Sequence, residues 1–370
     1  LSLSGFDPEL QDLWTQALRP IGMVATVGGL SQDQTLPTRT LQPGDAVSAS
    51  LITGDFSMSG SGTVTLVEDD RVYAFGHPFY NLGPARYPMT RTNVTTLLPS
   101  VASSARMSSV GEIIGTFDQD RATGIFGTLG PGPKMIPVSI TLSAEDRLLE
   151  ETFHFEVIDD RFFTPLLTYT GILNTFFSWT RQVGAGTFEI ASSVALSGLP
   201  EVTLRNRFSG DSAANSASAS LFASLSALNS NSFAPVTIEN ISIEISSSEE
   251  SKTSTLERVW IDSDRIYAGA AVPLRVATRS SNGSLSVATL MLALPNHIHG
   301  QVQLRVSDST AFGQQTVQDG RHPAGAKSLI QLVRAINATP QNDQLYVSLI
   351  AEKPGAVLRG EQLPALPSSV

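Results

Sequence analysis

Short segments in which apolar and polar residues alternate restrict the fold of this chain more than any other feature. Every second residue from Ile136 to Leu142 is apolar, and the same spacing recurs from Phe153 to Val157 after a polar stretch. Successive side chains of a strand point to opposite faces of a sheet, so this spacing predicts half-buried strands. Strand-like segments continue through 46–205 and 236–310. The sequence therefore predicts a mainly β protein with a few helices.

The size and charge of the chain limit its class. The 370 residues suggest two or three domains, and a hydrophobic content of 41% is typical of globular proteins. A net charge of −10 argues against a phosphate-binding surface, so nucleic acid is not an expected partner. The absence of cysteine excludes disulfides and thiolate chemistry. No stretch of about 20 apolar residues predicts a transmembrane helix.

The pattern divides the chain into four parts. Residues 1–45 hold a helix, with Asp7 as its cap and Pro8 at its first position, and then a loop. Residues 46–205 form a strand-rich domain, and 235–370 form a β-sandwich-like domain with a helix at 325–337. Between them, 206–234 is rich in Ala and Ser. Its leucines at helical spacing favour a helix over a flexible linker.

Two motifs in the first half resemble a known family. Residues 60–79 (GSGTVTLVEDDRVYAFGHPF) form a predicted hairpin that ends in Gly-His-Pro, and 111–130 read GEIIGTFDQDRATGIFGTLG. In their order and spacing they resemble the SpoIVB-type serine peptidases, over about 50–160. The whole chain is similar to the larger acidobacterial members of that family. The resemblance implies a chymotrypsin-like barrel, and His77 as the general base.

A serine hydroxyl needs a neighbouring base to become a nucleophile at neutral pH, and imidazole is the usual one. Without the resemblance, a histidine between Gly and Pro is more typical of a turn residue whose ring bonds to the backbone. Asp118 and Asp120 lie in the second motif and are candidates for the carboxylate of a triad. Asp120 and Arg121 could instead form a structural ion pair.

The family's nucleophile motif, Gly-Met-Ser-Gly-Ser-Pro, is absent from the 370 residues. The most similar string, at 57–62, offers Ser59 and Ser61 as candidate nucleophiles. Alternatively, these small residues allow another segment to approach the strand closely. The chain begins at Leu1 without a methionine or a leader, so we expect the missing motif upstream. The barrel would then be incomplete, and permuted relative to the sporulation peptidase.

Two functions follow from these observations. The chain is either the histidine-bearing part of a secreted, periplasmic or envelope serine endopeptidase, inactive alone, or a non-catalytic envelope protein for binding or assembly. The first implies a protein or peptide substrate and neither cofactor nor metal. We also expect an open groove beside the 62–75 hairpin. The missing upstream segment or a second copy of the chain would fill it by strand addition.

Overall fold

The computed structural model describes residues 1–18, 25–27, 40–98, 105–145, 147–183, 186–263, 265–296, 298, 300–318, 325–351, 356–358 and 361–363. Its described part contains 20 strands and five helices, which confirms the prediction of a mainly β protein. Most of the predicted loop before residue 45 and the end of the C-terminal tail lie outside the described residues. No described helix is long and apolar enough to cross a membrane.

The N-terminal segment packs against the barrel that follows it. It comprises β1 (Ser2–Ser4), α1 (Pro8–Leu18) and β2 (Thr26–Val27). The backbone N–H of Glu9 donates to the Asp7 carboxylate at 3.0 Å, which confirms the predicted helix cap. Strand β1 pairs with β2 and with a strand of the barrel.

Six antiparallel strands close into a barrel. They are β3 (Ala46–Gly54), β4 (Ser57–Glu68), β5 (Arg71–Ala74), β6 (Gly83–Leu98), β7 (Ala105–Arg121) and β8 (Gly124–Leu129). Their order is β3-β6-β7-β8-β5-β4, and β4 pairs back with β3. A closed barrel has no free strand edges.

The predicted open groove beside the 62–75 hairpin is absent from the described structure. Strand β5 pairs with β4 and β8, while β4 pairs with β3, β5 and β1. Because the barrel closes within this chain, neither a missing strand nor a second copy is needed to complete it. The strand edge expected to form an oligomer is therefore already paired within the chain, and oligomerisation itself stays a prediction.

A second layer extends from β3. It consists of β9 (Met135–Ala144), β10 (Arg147–Ile158), α2 (Phe163–Val183), β11 (Thr187–Leu196), β12 (Val202–Ser209), α3 (Ala213–Asn229) and β13 (Ile238–Ser248). Its strand order is β10-β9-β13-β11-β12, and α2 and α3 pack on it. Because β10 pairs with β3, these strands and the barrel belong to one 13-stranded sheet, called the large sheet below. Helix α3 is the predicted Ala/Ser-rich helix, with buried Ala217, Leu221 and Leu225 facing the core.

Strand β13 pairs with strands from residues 46–205, although it lies within the predicted 235–370 domain. It lies between β9 and β11 in the 13-stranded sheet. It runs parallel to β9, and its Ile241, Ile243 and Ile245 are buried. A strand pattern identifies a strand but not its neighbour, and a parallel pair joins segments that are distant in sequence.

The C-terminal region contains small sheets and two helices. Its elements are β14 (Ser254–Ile261), β15 (Ala271–Ser280), β16 (Leu285–Ala293), β17 (Val302–Ser307), α4 (Ser309–Gln318), α5 (Leu329–Asn337), β18 (Tyr346–Ala351), β19 (Ala356–Leu358) and β20 (Glu361–Leu363). Strands β14–β16 form one sheet and β17–β18 another, and residues of both line an apolar cavity of about 320 Å³. The predicted sandwich-like arrangement of this region stays a prediction.

Helix α5 belongs to the core of the large sheet rather than to the sandwich. Its Leu332, Val333 and Ile336 are buried in the main hydrophobic core. The side-chain oxygen of Asn337 accepts the backbone N–H of Thr203 at 3.0 Å, so α5 also covers the edge of β12. The predicted helix is therefore present, but it packs on β12 and α3.

Candidate functional site

The AFGHPF segment forms a loop that plugs one end of the barrel. Phe75 contacts Phe117 of β7, with ring centroids 6.1 Å apart, and β7 lies across the barrel from β4. A Cβ on Gly62 of β4 would lie 2.1 Å from the Phe75 ring, and one on Gly60 would lie 2.2 Å from the Phe79 ring. Both rings therefore enter the barrel above glycines, which alone leave room for them.

The two rings hold a tight turn between them. Phe75 and Gly76 have φ values of 75° and 70°, in the left-handed region. This conformation is uncommon for a bulky side chain and persists only where the surroundings impose it. Here the buried ring of Phe79 and the partly buried ring of Phe75 impose it. The turn leaves His77 exposed on a support that is anchored on both sides.

The ring of His77 has one occupied and one free nitrogen. Nδ1 lies 2.8 Å from the carbonyl oxygen of Pro78. A carbonyl can only accept, so Nδ1 carries the hydrogen of the neutral ring, and Nε2 carries the lone pair. No described residue forms a hydrogen bond with Nε2. A neutral imidazole in this state is a base that faces solvent.

Asp120 binds the backbone of this loop, not the imidazole ring. Its side chain is fully buried, and its two oxygens accept the backbone N–H groups of Phe79 and Tyr80 at 2.8 and 2.7 Å. The predicted ion pair with Arg121 is not found in the described structure, because Arg121 donates to Gln119 at 2.9 Å instead. The sequence could not reveal the role of Asp120, because the groups it binds are backbone amides.

The charge of Asp120 also affects its neighbours. Burial, followed by the nearby Asp120 carboxylate, raises the pKa of Tyr80 and of Tyr87 well above the usual range of a phenol. Asp118 does not bind the loop. It is half-buried and accepts a long hydrogen bond of 3.4 Å from the hydroxyl of Thr128.

The structure does not bring Ser59 or Ser61 to His77. Side chains alternate along β4, so these serines lie on the face opposite Gly60 and Gly62. Ser59 is 1% exposed, and its hydroxyl has no hydrogen-bond partner among the described residues. Ser61 bonds to the hydroxyls of Ser48 and Ser108, each at 2.8 Å. Ser59 lies where β1 pairs with β4, and Ser61 contacts β7 through Ser108.

The functional meaning of the string at 57–62 lies in its glycines. Glycine at every second position of a strand indicates that something approaches that face closely. The approaching groups are the two phenylalanines that flank Gly-His-Pro. The spacing of Gly60 and Gly62 is therefore the signal in the sequence that could have predicted the contacts with Phe79 and Phe75.

Comparison with known proteins identifies no relative. No protein-family model, no curated protein and no solved structure matches the chain. Within the described ranges, no three potential metal-ligating side chains come together.

Proposed function

We propose that His77 is the general base of a SpoIVB-type serine endopeptidase that acts in the bacterial envelope or outside the cell. The nucleophilic serine would come from a segment outside these 370 residues that carries the Gly-Met-Ser-Gly-Ser-Pro motif. The observation that carries the proposal is the state of His77, which is exposed, anchored on both sides and free at Nε2. The closed six-stranded barrel agrees with the fold that the resemblance implies.

The geometry suits acyl transfer. Nε2 would accept the proton of a serine hydroxyl at about 3 Å as the serine oxygen attacks a peptide carbonyl. The Pro78 carbonyl would keep its hydrogen bond to Nδ1 while the ring is positively charged. The imidazolium would then protonate the leaving amine. Water would hydrolyse the acyl-enzyme with His77 again as base, so the cycle needs neither metal nor cofactor.

A second candidate function is a non-catalytic envelope module for binding or assembly. Two observations favour it. No hydroxyl group among the described residues bonds to His77, and β16 exposes apolar side chains, with Leu285 at 55% and Met291 at 65%. A barrel shared with peptidases does not by itself establish peptidase activity.

The deciding experiment tests this chain with and without the segment that carries the missing motif. The chain would be expressed alone and together with the segment encoded upstream of Leu1. Each of the two preparations would then be treated with a fluorophosphonate probe. We expect no labelling of the chain alone and labelling of the added serine in the complex. His77→Ala should reduce the labelling rate about 10²- to 10⁴-fold, the usual contribution of a general base.

His154→Ala is the matched control, because His154 is also exposed but lies on β10. It should leave labelling unchanged, and neither variant should alter stability by more than about 0.5 kcal/mol. Labelling of Ser59 or Ser61 in the chain alone would refute the proposal. Binding of the segment without labelling, or a gene without the motif, would favour the envelope module.

A further inference from the structure

One peptide unit connects Asp120 to His77. The peptide bond between Pro78 and Phe79 contributes a carbonyl oxygen, which lies 2.8 Å from Nδ1 of His77. The same unit contributes the N–H of Phe79, which donates to the buried carboxylate of Asp120 at 2.8 Å. Carboxylate, peptide and imidazole thus form a continuous hydrogen-bonded chain.

We propose that Asp120 is a positioning residue that acts on His77 through this peptide unit. An N–H that donates to a charged acceptor polarises its amide, which makes the carbonyl oxygen of that amide a better acceptor. The Pro78 carbonyl would therefore hold the hydrogen on Nδ1 more firmly and leave Nε2 free. We call this hydrogen-bonded chain from Asp120 through the peptide unit to His77 the relay. Its role in catalysis rests on the proposed function, whereas its effect on the His77 ring does not.

The arrangement differs from a triad in which the carboxylate touches the imidazole. Asp120 is 0% exposed, while His77 reaches solvent. The second oxygen of Asp120 binds the N–H of Tyr80 at 2.7 Å, so the carboxylate fixes two consecutive amides. These two hydrogen bonds fix the orientation of the peptide unit whose carbonyl faces the imidazole. The relay thus connects the buried carboxylate of Asp120 to the exposed imidazole of His77.

The tautomer of His77 tests the relay without any peptidase activity. The full 370-residue chain would be labelled with ¹⁵N, and the imidazole signals would be recorded at a pH where the rings are neutral. His77→Ala assigns the His77 signals among the five histidines. We expect Nδ1 of His77 in the wild type to show the chemical shift of a protonated nitrogen. Asp120→Asn should abolish this preference, because one of its two acceptor oxygens becomes an NH₂ donor.

Asp118→Asn is the matched control, because Asp118 lies on the same strand but does not bind the loop. It should leave the His77 tautomer unchanged, as should Asp120→Asn for His154. A wild-type ring protonated on Nε2, or an unchanged tautomer in folded Asp120→Asn, would overturn the relay. If Asp120→Asn does not fold, the wild-type tautomer decides alone. A failed fluorophosphonate experiment would refute the peptidase but leave these signals unchanged.

Discussion

The barrel and the β14–β16 sheet contain similar strands in opposite environments. Every barrel strand pairs on both sides, and Phe117 and Met89 within the barrel are fully buried. Strand β16 is an edge strand, and eight of its nine residues are exposed. Local stability follows the density of buried contacts. Of these two regions, the loop bearing His77 is therefore built on the one with the higher density of buried contacts.

The two regions also differ in how their strands are specified. In the barrel, one strand places glycines where another segment places aromatic rings, so each residue choice depends on a distant one. In β16, Leu285, Val287 and Met291 face solvent, and the nine residues carry no charge. Its position follows from hairpin pairing with β15 alone. Equivalent substitutions in the two regions should therefore have very different effects.

Removing a ring from the barrel should give the largest effect. Phe117→Ala deletes a fully buried side chain that contacts Phe75, and it should lower the free energy of unfolding by about 4 kcal/mol. Urea unfolding followed by circular dichroism and by fluorescence of the buried Trp179 would measure the loss. Met291→Ala on β16 removes a side chain that is 65% exposed and should cost less than about 0.5 kcal/mol. Similar losses for both variants would contradict the contrast.

Much of the fold was predictable because periodicity is local. The alternation in β9 and β10 and the leucine stripe of α3 identify these elements without knowledge of their neighbours. The pairing of β13 with β9 was not predictable, since about 100 residues separate the partners and no local pattern records the choice. Helix α4 was missed because none of its side chains is buried, so it lacks an apolar stripe.

The candidate site was predictable only in part. The Gly-His-Pro string drew attention to His77, and the structure places this residue on an exposed, anchored loop. The roles considered for Asp120 assumed that it would meet a side chain, whereas it binds backbone amides that every residue carries. Ser59 and Ser61 were candidates because of their chemistry. Their surroundings depend on the pairing of β1 with β4 and on the contact of β7 with Ser61, which a single strand cannot reveal.

Adding one methyl group inside the barrel should have an intermediate effect. In Gly62→Ala, the new Cβ would lie 2.1 Å from the ring of Phe75, which is itself held against Phe117. Overpacking of this kind should cost about 2 kcal/mol in the free energy of unfolding, measured in urea. The displaced ring should also disturb the loop, so the amide signals of His77 and Phe79 should shift in NMR spectra.

Gly313→Ala is the matched control from the C-terminal region. Gly313 lies inside α4, where an added Cβ would meet nothing within 4 Å. Alanine favours a helix over glycine by about 0.5–1 kcal/mol, so this variant should be slightly stabilised. Destabilisation by Gly313→Ala, or tolerance of Gly62→Ala, would show that the barrel end is less tightly packed than the ring contacts indicate.

The smallest effect concerns ion pairs of the large sheet and the β14–β16 sheet. Hydrogen bonds from Arg207 and then Arg205 lower the pKa of Glu189 below its usual 4.5. A lowered pKa in the folded state stabilises the protein above the unfolded pKa. This contribution is lost as the pH falls through the lower folded value. Because Arg205 is 57% exposed, solvent screens the pair, and Glu189→Gln should cost only about 0.5 kcal/mol at neutral pH.

The pH and salt dependence of this loss separates charge from packing. The difference between wild type and Glu189→Gln should shrink below pH 4.5 and in concentrated salt, as measured by urea unfolding across a pH series. Glu257→Gln is the control, because Arg279 likewise lowers the pKa of Glu257 in the β14–β16 sheet. That pair is open to solvent, so no change in stability should be detectable. A loss from Glu189→Gln that stays constant with pH would mean that Glu189 stabilises the sheet through contacts other than its charge.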